Sequence, residues 1–143
     1  MIYALDSNTI IYLLNNDKSV IAKRDKAVEN KARFTIPPIV DYEIRRGLFY
    51  KPSPKKEPMY FSLVNNYGIG EMSSNSWFRA ASIYAELRRM SITVGDADIL
   101  IAAFCIENNY TLVTNNTKHF KDIDGLLIEN WVTENENLME RGK

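Results

Sequence analysis

The chain has 143 residues, of which 45% are hydrophobic and 25% charged, the size and balance of one globular domain able to bury a core without disulfides or structural metal. Its 18 Lys and Arg match 18 Asp and Glu, which excludes a generic polyanion binder and leaves nucleic-acid contact to local clusters such as Arg45 with Arg46, or Lys51, Lys55 and Lys56. A single cysteine, Cys105, excludes an internal disulfide or cysteine-only zinc site, and no stretch approaches the roughly 20 apolar residues that span a bilayer.

In chain order, residues 2–5 are a short apolar run, read as a buried strand. Asp6-Ser7-Asn8 follows as a turn and helix-capping sequence, then a first helix over 9–14. Residues 18–31 are charged and amphipathic, a second helix. A short strand at 34–36 is broken by Pro37-Pro38, which suits the first turn of a helix running over 39–50. Residues 51–58, with three prolines and three lysines, read as a loop. Residues 59–66 read as helical, and 69–72 as a short strand. The helix over 74–90 places Trp77, Ala80, Ala81, Tyr84 and Leu87 on one face. Residues 96–108 form an apolar, buried helix in which Cys105 is a small core residue. Strands follow at 111–114 and 126–128. The ordered domain is expected over 1–133, with a polar tail over 134–143 that frays.

Strands alternate with helices, and the strands are continuously apolar rather than alternating. That is the pattern of a mostly parallel, short-stranded sheet covered on both faces, a three-layer α/β/α fold. Ligands in such folds bind at the carboxyl ends of the strands. Asp6 is expected at that edge, and so are Asn115 and Asn116.

Three carboxylates stand out. Glu43 sits inside the apolar stripe of Ile39, Val40, Ile44 and Leu48, where a lone carboxylate is costly unless it is paired or binds a metal. Asp98 shares a helix face with Ile101, Ala102 and Cys105. Asp6 directly follows a strand. Each has a purely structural alternative: Asp6 could cap its helix, Glu43 could pair with an arginine, and Asp98 could complement a helix dipole. Asp96 is the better N-cap candidate of its helix. Together the acids suit Mg²⁺ or Mn²⁺, which take oxygen ligands. Other chemistries are poorly supplied. His119 is the only histidine and is expected on a surface turn, and no Gly-x-Ser-x-Gly elbow, dinucleotide fingerprint or phosphate loop is present.

Four segments in order carry a family resemblance. Leu5-Asp6-Ser7-Asn8 resembles the opening of PIN domains, with serine in place of the commoner threonine. Tyr42-Glu43-Ile44-Arg45-Arg46-Gly47-Leu48 is similar to their second motif, and Gly95-Asp96-Ala97-Asp98 through Ala103 to their third. Val113-Thr114-Asn115-Asn116 with Phe120 is similar to the fourth. Within the family, the chain most resembles VapC-type toxins, including those similar to initiator-tRNA-cleaving enzymes, and Ile128-Glu129-Asn130-Trp131 adds to this. The resemblance is weakest over 51–76. One departure is Asn116, which stands where many PIN domains carry a fourth acid.

The resemblance implies a metal-dependent endoribonuclease, the toxin of a toxin–antitoxin pair, with RNA, and tRNA in particular, as substrate. Asp6, Glu43 and Asp98 would hold Mg²⁺ or Mn²⁺, and Asn116 would orient water or a ligand. Ser7 would fix a ligand from behind, Asp96 would be an optional ligand, and Arg45 and Arg46 would contact RNA phosphate. It further implies a cognate antitoxin, and a homodimer to which Trp77 or Tyr84 could contribute. Apart from the resemblance, the single cysteine and the lack of a bilayer-spanning stretch or visible signal peptide lead to the expectation of a cytoplasmic protein. Two other classes stay open: a non-catalytic PIN-like RNA- or protein-binding module, and an RNA-processing or DNA nuclease outside any toxin system.

Overall fold

The computed structural model describes residues 1–133, so the expected polar tail lies outside the described residues. Four strands, β1 (Ile2–Leu5), β2 (Arg33–Thr35), β3 (Thr111–Val113) and β4 (Ile128–Glu129), form one sheet in the order β2-β1-β3-β4. Every strand pair in it is parallel. Ala4, Leu5, Leu112 and Val113 are fully buried, which accounts for the unbroken apolar runs: adjacent residues point to opposite faces, and both faces are covered.

Among the described residues seven helices surround the sheet: α1 (Ser7–Leu14), α2 (Lys18–Glu29), α3 (Pro38–Tyr50), α4 (Lys56–Tyr67), α5 (Ser74–Arg89), α6 (Asp96–Asn108) and α7 (Thr117–Phe120). Helix α1 packs on α2, α3 and α4, while α6 packs on α3, α5, α7 and β3. None of the described helices is long and apolar enough to cross a membrane. The chain leaves β1 toward β2 on one side and returns as β3 on the other. The carboxyl ends of β1 and β3 therefore flank the crevice where strand order reverses, the usual ligand position of a parallel sheet.

Several expected elements shift. Helix α4 begins at Lys56, within the expected loop, because Pro58 falls in its first turn, where no intrahelical N–H bond is lost. The expected strand at 69–72 is reduced to a single parallel bridge, Ile36 with Ile69. The buried face of α5 is Ser76, Ala80, Ile83 and Leu87, one stripe away from the expected one, and Trp77 is 54% exposed. Ser76 tolerates burial because its hydroxyl is bonded to that of the N-cap, Ser73, at 3.0 Å. The N-cap of α6 is Gly95, which makes Asp96 the first helical residue rather than the cap. Cys105 is buried as expected, and burial, followed by the charge of Asp6, pushes its thiol well above the ordinary value.

Candidate active site

Asp6 is the hub. It directly follows β1 and caps α1, and its backbone N–H extends the sheet ladder to Val113 O at 3.0 Å. The residue is only 3% exposed. Asp6 Oδ1 accepts from Ser7 N at 2.8 Å, and Oδ2 accepts from Thr114 Oγ1 at 2.7 Å and Asn8 Nδ2 at 3.1 Å. These donors hold the carboxylate down, yet its pKa lies above the ordinary 3.8, because burial dominates and the charge of Asp98 adds to it.

Glu43, on α3, faces the same crevice. Its Oε1 accepts from Ser7 Oγ at 3.2 Å, and its Oε2 lies 3.9 Å from Arg46 Nη2. Its carboxyl is likewise raised, first by burial, then by the charge of Asp6, with Asp98 adding less; Ser7 and Arg46 pull the other way. Asp98, in the first turn of α6, directs Oδ2 to His119 Nδ1 at 3.0 Å. The acids that the sequence singled out thus come from three elements and repel one another across one crevice.

A second layer of bonds fixes the crevice walls. Asn8 Oδ1 accepts from Asn115 N at 2.8 Å, and Thr9 Oγ1 donates to Val113 O at 2.9 Å. Thr114 Oγ1 also accepts from Asn116 N at 3.0 Å. One threonine therefore ties the carboxyl end of β3 to the acid at the end of β1. Sequence reading passed over Thr114 and Asn8 as site residues. The available signal was that Thr114 follows β3 just as Asp6 follows β1.

The remaining expected residues divide. Ser7 is where its expected role requires, between Asp6 and Glu43. Asn116 is exposed at the N-cap of α7, and among the described residues its side chain bonds to none of the three acids. Asp96 is exposed. Arg45 is already engaged: its Nε donates to Asp41 Oδ1 at 2.8 Å, the oxygen that also accepts from Tyr60 OH at 2.7 Å, and its guanidinium lies over the Phe61 ring. Arg46, over the ring of Tyr42, is the arginine beside the acids. His119, expected on a surface turn, lies in the short helix α7 and touches Asp98 while remaining mostly exposed.

The donor set fits a hard divalent cation by its chemistry. It consists of carboxylate oxygens, two of them raised by burial and mutual repulsion that a bound cation would relieve. Among the described residues no three His, Cys, Asp or Glu side chains are gathered closely enough to hold an ion as they stand. The fit therefore rests on charge and donor type.

Two predictions follow from these contacts. Because the folded pKa of Glu43 is raised, its ionisation opposes folding. The stability is intact below its ordinary value of 4.5 and is lost as pH rises through the folded value. Metal-free Glu43→Gln should therefore melt above the parent at neutral pH, and the gap should close as pH falls below 4.5. A gap of the opposite sign in calorimetry would contradict the repulsion. His119→Ala should lower the rate of any reaction at this site by about 3- to 10-fold, within the range of one lost hydrogen bond. His119→Asn, whose amide can take the place of Nδ1, should recover most of it.

This fold and crevice belong to a known class of protein. The PIN domain family model matches residues 3–126, and the chain belongs to the PIN-domain family. Among its relatives is Ribonuclease VapC2 of Rickettsia felis, 33% identical over 134 residues, covering 92% of this chain and 98% of the relative. The tRNA(fMet)-specific endonuclease VapC of Salmonella typhimurium is 27% identical over 130 residues, covering 90% and 97%. The solved structure of VapBC2 from Rickettsia felis bound to a promoter DNA fragment superposes with a TM-score of 0.85 at 30% identity, covering 92% of this chain and 100% of the matched one. The resemblance to VapC-type ribonucleases, read from four short motifs, is borne out.

Proposed function

We propose that this protein is a divalent-metal-dependent endoribonuclease that hydrolyses RNA phosphodiester bonds, with tRNA as its substrate. In this reading it is the toxin of a toxin–antitoxin pair. The observation that carries the reading is the convergence of Asp6, Glu43 and Asp98, from three separate elements, on the crevice beyond β1 and β3. The relatives named as ribonucleases and as a tRNA(fMet)-specific endonuclease support the reaction and substrate.

Asp6, Glu43 and Asp98 would hold Mg²⁺ or Mn²⁺. When bound, such an ion supplies acidification of water and neutralisation of charge developing on the phosphate. The chain's own residues do the positioning. Thr114 and Asn8 fix the Asp6 carboxylate, Ser7 fixes Glu43, and His119 orients Asp98. Arg46 is placed to meet a substrate phosphate, while Arg45, tied to Asp41, supports α3. Asn116 stands at the rim, where it can orient water or substrate. Asp96, exposed two residues before Asp98 on α6, is an optional ligand.

The same reading brings a cognate antitoxin, in line with the VapBC2 complex among the structural neighbours. It also brings a homodimer that uses the exposed Trp77 and Tyr84 of α5, and a cytoplasmic setting. Incubating the purified protein with tRNA and with total RNA, in Mg²⁺, Mn²⁺ or EDTA, tests the function. Discrete fragments from tRNA that require metal are the expected result. Folded, antitoxin-free protein that cleaves nothing under any of these conditions would instead favour a binding module.

A further inference from the structure

Helix α3 carries two adjacent arginines whose surroundings differ. Arg45 has an acid one turn before it. Its Nε donates to Asp41 Oδ1 at 2.8 Å, the contact of a closed ion pair. Arg46 has an aromatic ring at the same spacing. Its guanidinium carbon lies 5.1 Å from the centre of the Tyr42 ring, within cation–π range. The acid beside it, Glu43, is three residues back, and Nη2 comes no closer to Oε2 than 3.9 Å, beyond hydrogen-bond reach. Residues three and four apart on a helix are neighbours, so Arg46 has two competing partners. It rests on the ring and stands off the carboxylate.

The core does not require Tyr42. It is 61% exposed, on the side of α3 away from the buried Val40, Ile44 and Leu48. A ring left that far in water gains little from burial, and the contact it does make is with Arg46. Glu43, meanwhile, is fixed from the other side. Ser7 Oγ donates to its Oε1 at 3.2 Å, which leaves Oε2, the oxygen facing Arg46, for a further partner.

We propose that Tyr42 is a positioning residue: its ring holds the Arg46 guanidinium off Glu43, which keeps the Glu43 carboxylate for a divalent cation and the guanidinium for a substrate phosphate. This rests on the metal-dependent nuclease reading above. A closed pair between Arg46 and Glu43 would do harm at both ends. It would set a fixed positive charge against an incoming cation, and it would engage the guanidinium donors before a phosphate arrived. An aromatic face resolves the conflict, because it attracts the guanidinium as a stacked plane and leaves the in-plane N–H donors unused.

Titration calorimetry of Mn²⁺ into the full, RNA-free chain at fixed ionic strength tests this without any turnover. Tyr42→Ala should weaken Mn²⁺ binding about 3-fold, the scale on which an exposed ion pair closes. Tyr42→Phe, which keeps the ring, should bind as the parent does. Arg46→Gln should tighten binding by a similar factor, and in that background Tyr42→Ala should have no further effect. Parent-like binding by Tyr42→Ala would overturn the proposal. So would a loss that persists beside Arg46→Gln, since Tyr42 would then act by a route other than Arg46. If the Mn²⁺ pattern is as stated but the parent cleaves no RNA, the nuclease reading fails and the role of Tyr42 stands. If the parent cleaves RNA with metal and Tyr42→Ala binds Mn²⁺ as the parent does, the role of Tyr42 alone fails. A parent that binds Mn²⁺ no more tightly than Asp98→Asn would overturn both.

Discussion

Asp98→Asn should abolish metal-dependent RNA cleavage, by at least about 10³-fold or roughly 4 kcal/mol of transition-state stabilisation, while the protein stays folded. The two halves of this expectation have different physical sources. Asparagine keeps the shape of the side chain and can still meet His119 Nδ1, the one side chain bonded to Asp98 among the described residues, so little packing is disturbed. It removes the negative charge that a divalent cation needs at that position. Asp6→Asn should lose activity to the same degree, with a more mixed effect on stability. One amide cannot accept from Ser7 N, Asn8 Nδ2 and Thr114 Oγ1 together, which destabilises. It also removes a buried charge raised by desolvation, which stabilises. Circular dichroism melts beside a cleavage assay separate the two effects. Loss of activity through unfolding would show as a collapsed melting transition.

Gly70→Ala should destabilise the fold by about 1–3 kcal/mol, the usual cost of inserting a methyl into a packed core. Gly70 follows the single bridge between Ile36 and Ile69, and its N–H donates to Ile36 O at 2.8 Å. Its φ is ordinary, so alanine meets no backbone strain. The obstacle is the ring of Phe104, on which a Cβ at position 70 would collide. Phe104 is buried on α6 and packs edge-on against Tyr110, so the ring has little freedom to retreat. Pressure on Phe104 is pressure on the helix that carries Asp98, and cleavage should fall along with stability. Gly70→Ala combined with Phe104→Leu should recover part of the loss that the two changes add up to singly. Strict additivity in chemical denaturation would contradict the clash.

Much of the site was legible because its chemistry conflicts with its surroundings. Glu43 inside an apolar stripe, Asp98 on a buried helix face and Asp6 immediately after a strand are each anomalies of pattern. The structure brings all three to one crevice. The parallel sheet was legible from unbroken apolar runs such as 2–5. What pattern could not reveal was pairing at a distance. Thr114 is an ordinary strand-end threonine until it is seen 2.7 Å from Asp6. His119 lies in a helix of one turn, too short to carry periodicity, and its contact with Asp98 spans 21 residues. Arg45 and Arg46 look equivalent in sequence. Only Asp41, one turn back, and Tyr60, on another helix, make Arg45 structural. In α5 the face read from hydrophobicity was the one with Trp77. Packing chose the stripe with Ser76, whose polar group is satisfied locally. The start of α4 was hidden by prolines, one of which belongs to its first turn.

The most direct test of the central claim, that Asp6, Glu43 and Asp98 form a cation site that cleaves RNA, is a cleavage assay on tRNA with the parent protein and Asp98→Asn side by side. Each is assayed in Mg²⁺ and in EDTA. The account predicts discrete fragments from the parent in Mg²⁺ and none in the other three reactions. Equal cleavage by parent and variant, or cleavage that persists in EDTA, would contradict it.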